Sequence, residues 1–188
     1  MSTDQGQILL PLARSAIAKQ LGQAAVAAAD APWLQEPGAT FVTLTQAGEL
    51  RGCIGTLQAH RTLLEDVQAN ALAAAFQDPR FQPLSLTELS YTRVEVSLLS
   101  PSEPIVFESE QHALAQLRPD VDGVIFEYGY YRSTFLPQVW EQLPAPETFM
   151  AHLKHKAGLS PDFWAANVKL ARYTVSKWKE PTNTEQVA

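Results

Sequence analysis

The sequence predicts an α+β fold, with antiparallel β-hairpins and sheet flanked by helices and room for two lobes. Three observations carry this. Apolar residues recur at helical spacing in separate stretches, short strand-like runs pair up around glycine turns, and neither regular βαβ units nor a dinucleotide fingerprint is present. At 188 residues and 46% hydrophobic, the chain can bury one sizeable core. One domain is therefore expected over residues 1–180, with a flexible tail at 181–188.

In order along the chain, Leu9, Leu10, Ala13, Ile17 and Leu21 describe an amphipathic helix from Gln7 to about Leu21, with Pro11 near its first turn. The Ala24–Ala31 run could continue it past Gly22, until Pro32, Pro37 and Gly38 force a connection. Phe41–Thr45 and Glu49–Ile54 read as a β-hairpin turning at Ala47-Gly48. Thr62 with Glu65 forms a capping box that opens a helix over Leu63–Gln77, closed by Asp78-Pro79. Arg80–Leu89 reads as irregular. Thr92–Leu99 then alternates strictly, Val94, Val96 and Leu98 on one face and Arg93, Glu95 and Ser97 on the other. After the elbow at Pro101 and Pro104, Ser109 caps a short helix to Leu117. Val121–Tyr128 and Tyr130–Phe135 form a second hairpin at Gly129. Pro146 starts a helix that runs to Ala157 and stops at Gly158. Ser160-Pro161 starts another short helical turn, Lys169–Lys177 reads as a last strand, and the tail from Lys179 is expected to fray.

A formal charge of -6 argues against a nucleic-acid partner, which needs a dense basic face. The single cysteine excludes an intrachain disulfide and any multi-cysteine metal site held by this chain alone. No signal-peptide pattern opens the chain and no apolar run approaches the ~18 residues needed to span a bilayer, so a cytoplasmic protein without membrane attachment is expected.

The one cysteine sits in Leu50-Arg-Gly-Cys-Ile-Gly55, between two glycines. In a regular strand Leu50, Gly52 and Ile54 point one way, Arg51 and Cys53 the other. Leu50 and Ile54 would anchor the core, and the Arg51 guanidinium could fold toward the sulfur, where a cation favours the thiolate. Gly52 and Gly55 would let a substrate or another backbone approach. The competing reading makes Cys53 a small buried hydrophobe and the glycines marks of a bulge; a bulge at Gly52 would also invert the facing. Glu95 interrupts an apolar strand, either as a solvated residue or, if it faces Cys53, as a general base or a partner for Arg51.

Other polar residues carry less. His152 and His155 lie one turn apart, but Lys154 and Lys156 surround them, which fits a solvated last turn. His60 and His112 are isolated. Arg80 and Arg132 could bind an anion, with stacking on neighbouring aromatics as the alternative. No serine triad, nucleotide loop or metal-ligand motif is present, so no metal or other cofactor is expected.

Beyond the signature at Leu50–Gly55, the chain carries Phe41-Val-Thr-Leu44, Asp78-Pro-Arg-Phe81 with Pro83-Leu84, Val94-Glu-Val-Ser-Leu-Leu99, Phe135-Leu-Pro-Gln-Val139 and Lys156-Ala-Gly-Leu159. In these blocks, spread over roughly residues 8 to 178, it resembles the AMMECR1 family, also called AmmeMemoRadiSam system protein A. The resemblance implies a cytosolic α+β protein whose reaction is not established. Microbial members tend to be encoded with, or fused to, a Memo-like protein and a radical SAM protein. Those partners are absent from this chain, so joint function would be assembled in trans. The resemblance carries over Arg51, Gly52, Cys53 and Gly55 as the signature, and Arg80, Glu95, Pro137 and Gln138 as matching positions.

The expected chemistry has Cys53 as nucleophile or covalent carrier, Arg51 as thiolate or anion stabiliser, and Glu95 as general acid or base. Gly52, Gly55, Arg80 and Gln138 are the ligand-binding candidates. The rival is a non-catalytic binding or adaptor module, and a third possibility is redox sensing by the lone thiol.

Overall fold

The computed structural model describes residues 2–24 and 31–182, with side chains from residue 5 onward. Among the described residues five helices and eight strands follow in order: α1 Ser2–Gln20, β1 Ala39–Gln46, β2 Glu49–Gly55, α2 Leu63–Phe76, α3 Leu86–Leu89, β3 Arg93–Leu99, β4 Glu103–Ile105, α4 Glu110–Gln116, β5 Gly123–Tyr128, β6 Tyr131–Phe135, α5 Pro146–Lys156, β7 Lys169–Tyr173 and β8 Val175–Lys179. Short 3-10 helices occupy Pro32–Gln35 and Pro137–Glu141. The fold is α+β with antiparallel pairing, as expected. Two compact units divide it, residues 1–99 with 176 onward, and residues 100–175.

In the first unit the sheet order is β2-β1-β3-β8. Val42, Leu44, Val94 and Val96 line one face, and α1 and α2 cover them with Leu9, Ala13, Ile17, Val67, Ala71 and Ala74. The hairpin turn has Ala47 at φ 49° and Gly48 at φ 84°, the left-handed pair that a two-residue turn between twisted strands requires. Helix α2 starts with the expected capping box, the Thr62 side chain accepting from the Glu65 N–H and the Glu65 side chain from the Thr62 N–H. Helix α1 ends where Gly22 enters the left-handed region at φ 81°, and Gln23 N–H donates to the Ala18 carbonyl at 2.9 Å, a Schellman closure. The expected continuation over Ala24–Ala31 falls largely on residues 25–30, outside the described residues.

In the second unit the order is β4-β7-β5-β6, with α4 and α5 packed around Phe126, Trp140, Phe149 and Leu153. Trp140 and Phe149 stack at 3.7 Å between centroids, and the Trp140 indole donates to the Asp122 carbonyl at 2.7 Å. Ser100 N–H donates to the Thr174 carbonyl and Thr174 N–H to the Ser100 hydroxyl, both at 2.9 Å, so the two ends of this unit are tied together.

Several expectations change. The single last strand is two, because the chain leaves one sheet at Tyr173 and enters the other at Val175. Lys179 closes β8 and Glu180 is pinned: its carboxylate takes Arg14 at 2.5 and 2.6 Å and the Val94 N–H at 2.8 Å. Residues 183–188 of the expected tail lie outside the described residues. Arg80–Leu89 contains a helical turn, α3, capped reciprocally by Ser85 and Glu88. Ser160 closes a single turn with Phe163 N–H at 3.0 Å and opens no helix. In the last turn of α5, His152, His155 and Lys156 are exposed as expected. Lys154 instead is buried, its ammonium against Glu110 and 5.4 Å from the Trp164 ring. Among the described residues no helix is long and apolar enough to cross a membrane.

Candidate functional site at the β2 edge

Strand β2 is irregular at the signature. Leu44 pairs with Gly52 and Thr45 with Leu50, so Arg51 has no partner on β1 and forms a bulge. The bulge shifts the facing of everything before it. Leu50, expected in the core, is 41% exposed. Arg51 leaves the face that Cys53 occupies and turns to Glu88, with Nε 2.9 Å from Oε1, and to the Gln82 carbonyl at 2.9 Å. Past the bulge Gly52 and Ile54 face α2, while Cys53 and Gly55 face the opposite side. A Cβ on Gly52 would stand 2.1 Å from the Ala74 carbonyl oxygen of α2, and one on Gly55 would stand 2.2 Å from the Phe41 ring. Of the two uses read for Gly52, close approach of a backbone is the one that occurs.

The backbone of Cys53 is held at the open edge of the sheet by Asp78-Pro-Arg80, just beyond α2. Its N–H donates to Asp78 Oδ2 at 2.9 Å, and its carbonyl accepts from Arg80 Nη2 at 3.4 Å. These two side chains take the place of a neighbouring strand. Asp78 also accepts from the Arg80 backbone N–H, Nε and Nη2 at 3.1, 3.0 and 2.7 Å. Those Arg80 bonds, helped by the Cys53 N–H, hold the Asp78 carboxyl well below the usual carboxylate range against the opposing effect of burial. Arg80 in turn is held more firmly protonated, by Asp78 first and by the Cys53 sulfur last. Its side chain is 54% exposed and that of Asp78 only 2%, so the group turned to solvent is the cation.

The Cys53 thiol is half-buried, 3.2 Å from Oγ1 of Thr43, its cross-strand partner. Thr43 also pairs with Glu95 on its other side, which places Cys53, Thr43 and Glu95 in one row across the sheet. Two strand spacings make about 10 Å, so Cys53 lies outside the hydrogen-bonding reach of Glu95. The Glu95 carboxylate instead takes Lys179 at 2.9 Å and Lys177 at 3.3 Å.

Both signature-side arginines lie over one ring: the guanidinium carbons of Arg51 and Arg80 are 5.7 and 5.5 Å from the Phe81 centroid. The Arg51 bonds, followed by the Ser85 N–H, bring the Glu88 carboxyl down to about 2. Arg51 Nη1 is buried and has no hydrogen-bond partner among the described residues. Gln138 is exposed on the 3-10 helix of the second unit. No group of three or more His, Cys, Asp or Glu able to hold a metal occurs among the described residues.

Thr43, Asp78 and Glu88 are the members of this site that reasoning from sequence passed over. From sequence Asp78 reads only as a helix stop and Glu88 falls in a stretch that reads as irregular; the roles of both here depend on where β2 runs.

The family model for AMMECR1 matches residues 10–178. A protein from Methanothermobacter thermautotrophicus is 35% identical over 189 residues, covering 96% of each chain. One from Methanocaldococcus jannaschii is 41% identical over 138 residues, 70% of this chain and 67% of its own length. The crystal structure of an uncharacterised protein from Pyrococcus horikoshii superposes with a TM-score of 0.79 at 33% identity, covering 98% of this chain and 95% of that one. The signature strand, the Asp78-Pro-Arg-Phe81 clamp and the alternating strand of Glu95 all lie inside the matched region, and the chain belongs to the AMMECR1 family.

Proposed function

We propose that the protein is the thiol-bearing component of a cytoplasmic modification reaction, in which Cys53 is the nucleophile or covalent carrier and Arg80 is the cation beside it. The observation that carries this reading is the clamp on Cys53. Both of its backbone polar groups are fixed by Asp78 and Arg80, while its sulfur stays half-buried next to the Thr43 hydroxyl. A nucleophile gains from a fixed position and a nearby cation, and packing alone would ask for neither. Thr43 Oγ1 lies 3.2 Å from the sulfur and can donate a hydrogen bond to the thiolate, the thiol proton itself passing to solvent. Arg51 serves the site at one remove, bracing β2 through Glu88, and Glu95 orders Lys177 and Lys179 on the same sheet face. Memo-like and radical SAM proteins are the partners proposed to act with it in trans.

A second reading, a non-catalytic adaptor, draws on the glycines and charges. The spaces at Gly52 and Gly55 are filled by Ala74 and Phe41, and Arg51 and Glu95 are committed to internal ion pairs. The two readings part on Cys53→Ser and Cys53→Ala, tested by complementation of a strain lacking the protein. Thiol chemistry predicts that both variants keep their folded spectrum and fail to complement. Wild-type growth with either variant would leave the adaptor reading standing and remove the first.

A further inference from the structure

A buried guanidinium nitrogen without an acceptor is costly, and native structures seldom leave one without a reason. Arg51 Nη1 is such an atom. On the same Phe81 ring lies a second guanidinium in a related condition. Arg80 uses Nε and Nη2 on Asp78 and on the Cys53 carbonyl, and among the described residues its Nη1 bonds to nothing. The carboxylates that balance these cations are turned inward and saturated. Asp78 accepts four hydrogen bonds, and Glu88 is occupied by Arg51, Gln46 and the Ser85 cap. What reaches solvent beside Cys53 is therefore N–H donors on a fixed, planar cation, the arrangement that receives a carboxylate or phosphate oxygen.

We infer that the Cys53 site takes a substrate bearing an oxyanion close to its electrophilic atom, and that the oxyanion is seated on the free Nη1 of Arg80, with the Arg51 guanidinium as a second positive charge against the same Phe81 ring. The inference rests on the proposed thiol chemistry and gives it a substrate class. Arg80 is a binding residue here; its contact with the Cys53 carbonyl keeps the seat within one residue of the sulfur.

Two haloacetyl probes of the same reactivity class test it. With iodoacetate or iodoacetamide, the Cys53 thiolate displaces iodide from the α-carbon, an S–C bond forms, and the thiol proton passes to buffer. The probes differ in carrying a carboxylate or a neutral amide. Rates are taken on the native chain and on the urea-unfolded chain at one pH and ionic strength, and the unfolded ratio is the reference. An anion seat predicts that folding raises the iodoacetate-to-iodoacetamide ratio about tenfold. Native Arg80→Gln is expected to return to the unfolded ratio. If that variant does not fold, protection decides on the wild type: acetate must slow iodoacetate labelling more than sodium chloride does at equal ionic strength. A folded ratio equal to the unfolded one, with Cys53 still labelled, or acetate acting no differently from chloride, overturns the anion seat and leaves the thiol reading intact. Failure of both probes to label the native thiol removes the thiol reading itself.

Discussion

A methyl group at position 52 has nowhere to go, because its carbon would sit 2.1 Å from the Ala74 carbonyl oxygen and a helix backbone cannot swing aside as a side-chain end can. At position 55 the obstacle is the Phe41 ring, which can rotate about its own bonds. Gly52→Ala is thus expected to lose about 3 kcal/mol and Gly55→Ala roughly a third of that, read as urea midpoints at constant slope. Glu88 offers a pH test at the same scale. Its carboxyl titrates at about 2 in the fold against an ordinary 4.5, so the stability it contributes is present above 4.5 and is lost as the pH falls toward 2. The stability gap between the wild type and Glu88→Gln should narrow over that interval in urea titrations run at successive pH values. A gap that is constant down to pH ~2 would mean that Arg51 does not hold the carboxylate in solution.

At the scale of elements, what the sequence makes legible is what neighbours along the chain decide. The capping box at Thr62, the hairpin turn at Ala47-Gly48 and the alternation of Val94, Glu95 and Val96 are all local, and each stands as read. The bulge at Arg51 is not local. Whether Leu50 or Arg51 follows the strand is set by which residue of β1 lies opposite, and alternation counted along β2 alone puts Leu50 in the core and the guanidinium beside the sulfur. The same limit hid the change of sheet at Thr174, where an unbroken run of strand-forming residues serves two different neighbours. Lys154 shows the complementary limit. Between two exposed histidines its charge reads as solvated, and only Glu110 on α4 and Trp164 in the following loop make a buried ammonium tolerable. The site divides along this line. Cys53 and Arg80 could be singled out from their motifs, whereas Thr43 and Asp78 acquire roles only once β2 is placed against β1 and against the chain leaving α2.

At the scale of the whole molecule, residues 100–175 are an insertion between β3 and β8 of the first unit, with a core of their own around Phe126, Trp140 and Phe149. Their ends are already joined by the reciprocal bonds of Ser100 and Thr174. A chain of residues 100–175 alone is expected to unfold cooperatively on heating, with a near-ultraviolet signal from the stacked Trp140 and Phe149 that disappears in the same transition. A featureless near-ultraviolet spectrum at low temperature would show that this unit depends on the rest of the chain.

The two crossings also give the protein a timetable. The inserted unit is complete in sequence once Val175 has been synthesised, whereas the first unit still lacks β8 and the Glu180 carboxylate that joins Arg14 to Val94. On the ribosome the usual order is therefore reversed: the half of the chain made first cannot close its sheet until the half made second has finished. Until then β3 presents a bare edge, and the strand that carries Glu95 waits for the two lysines that will pair with it.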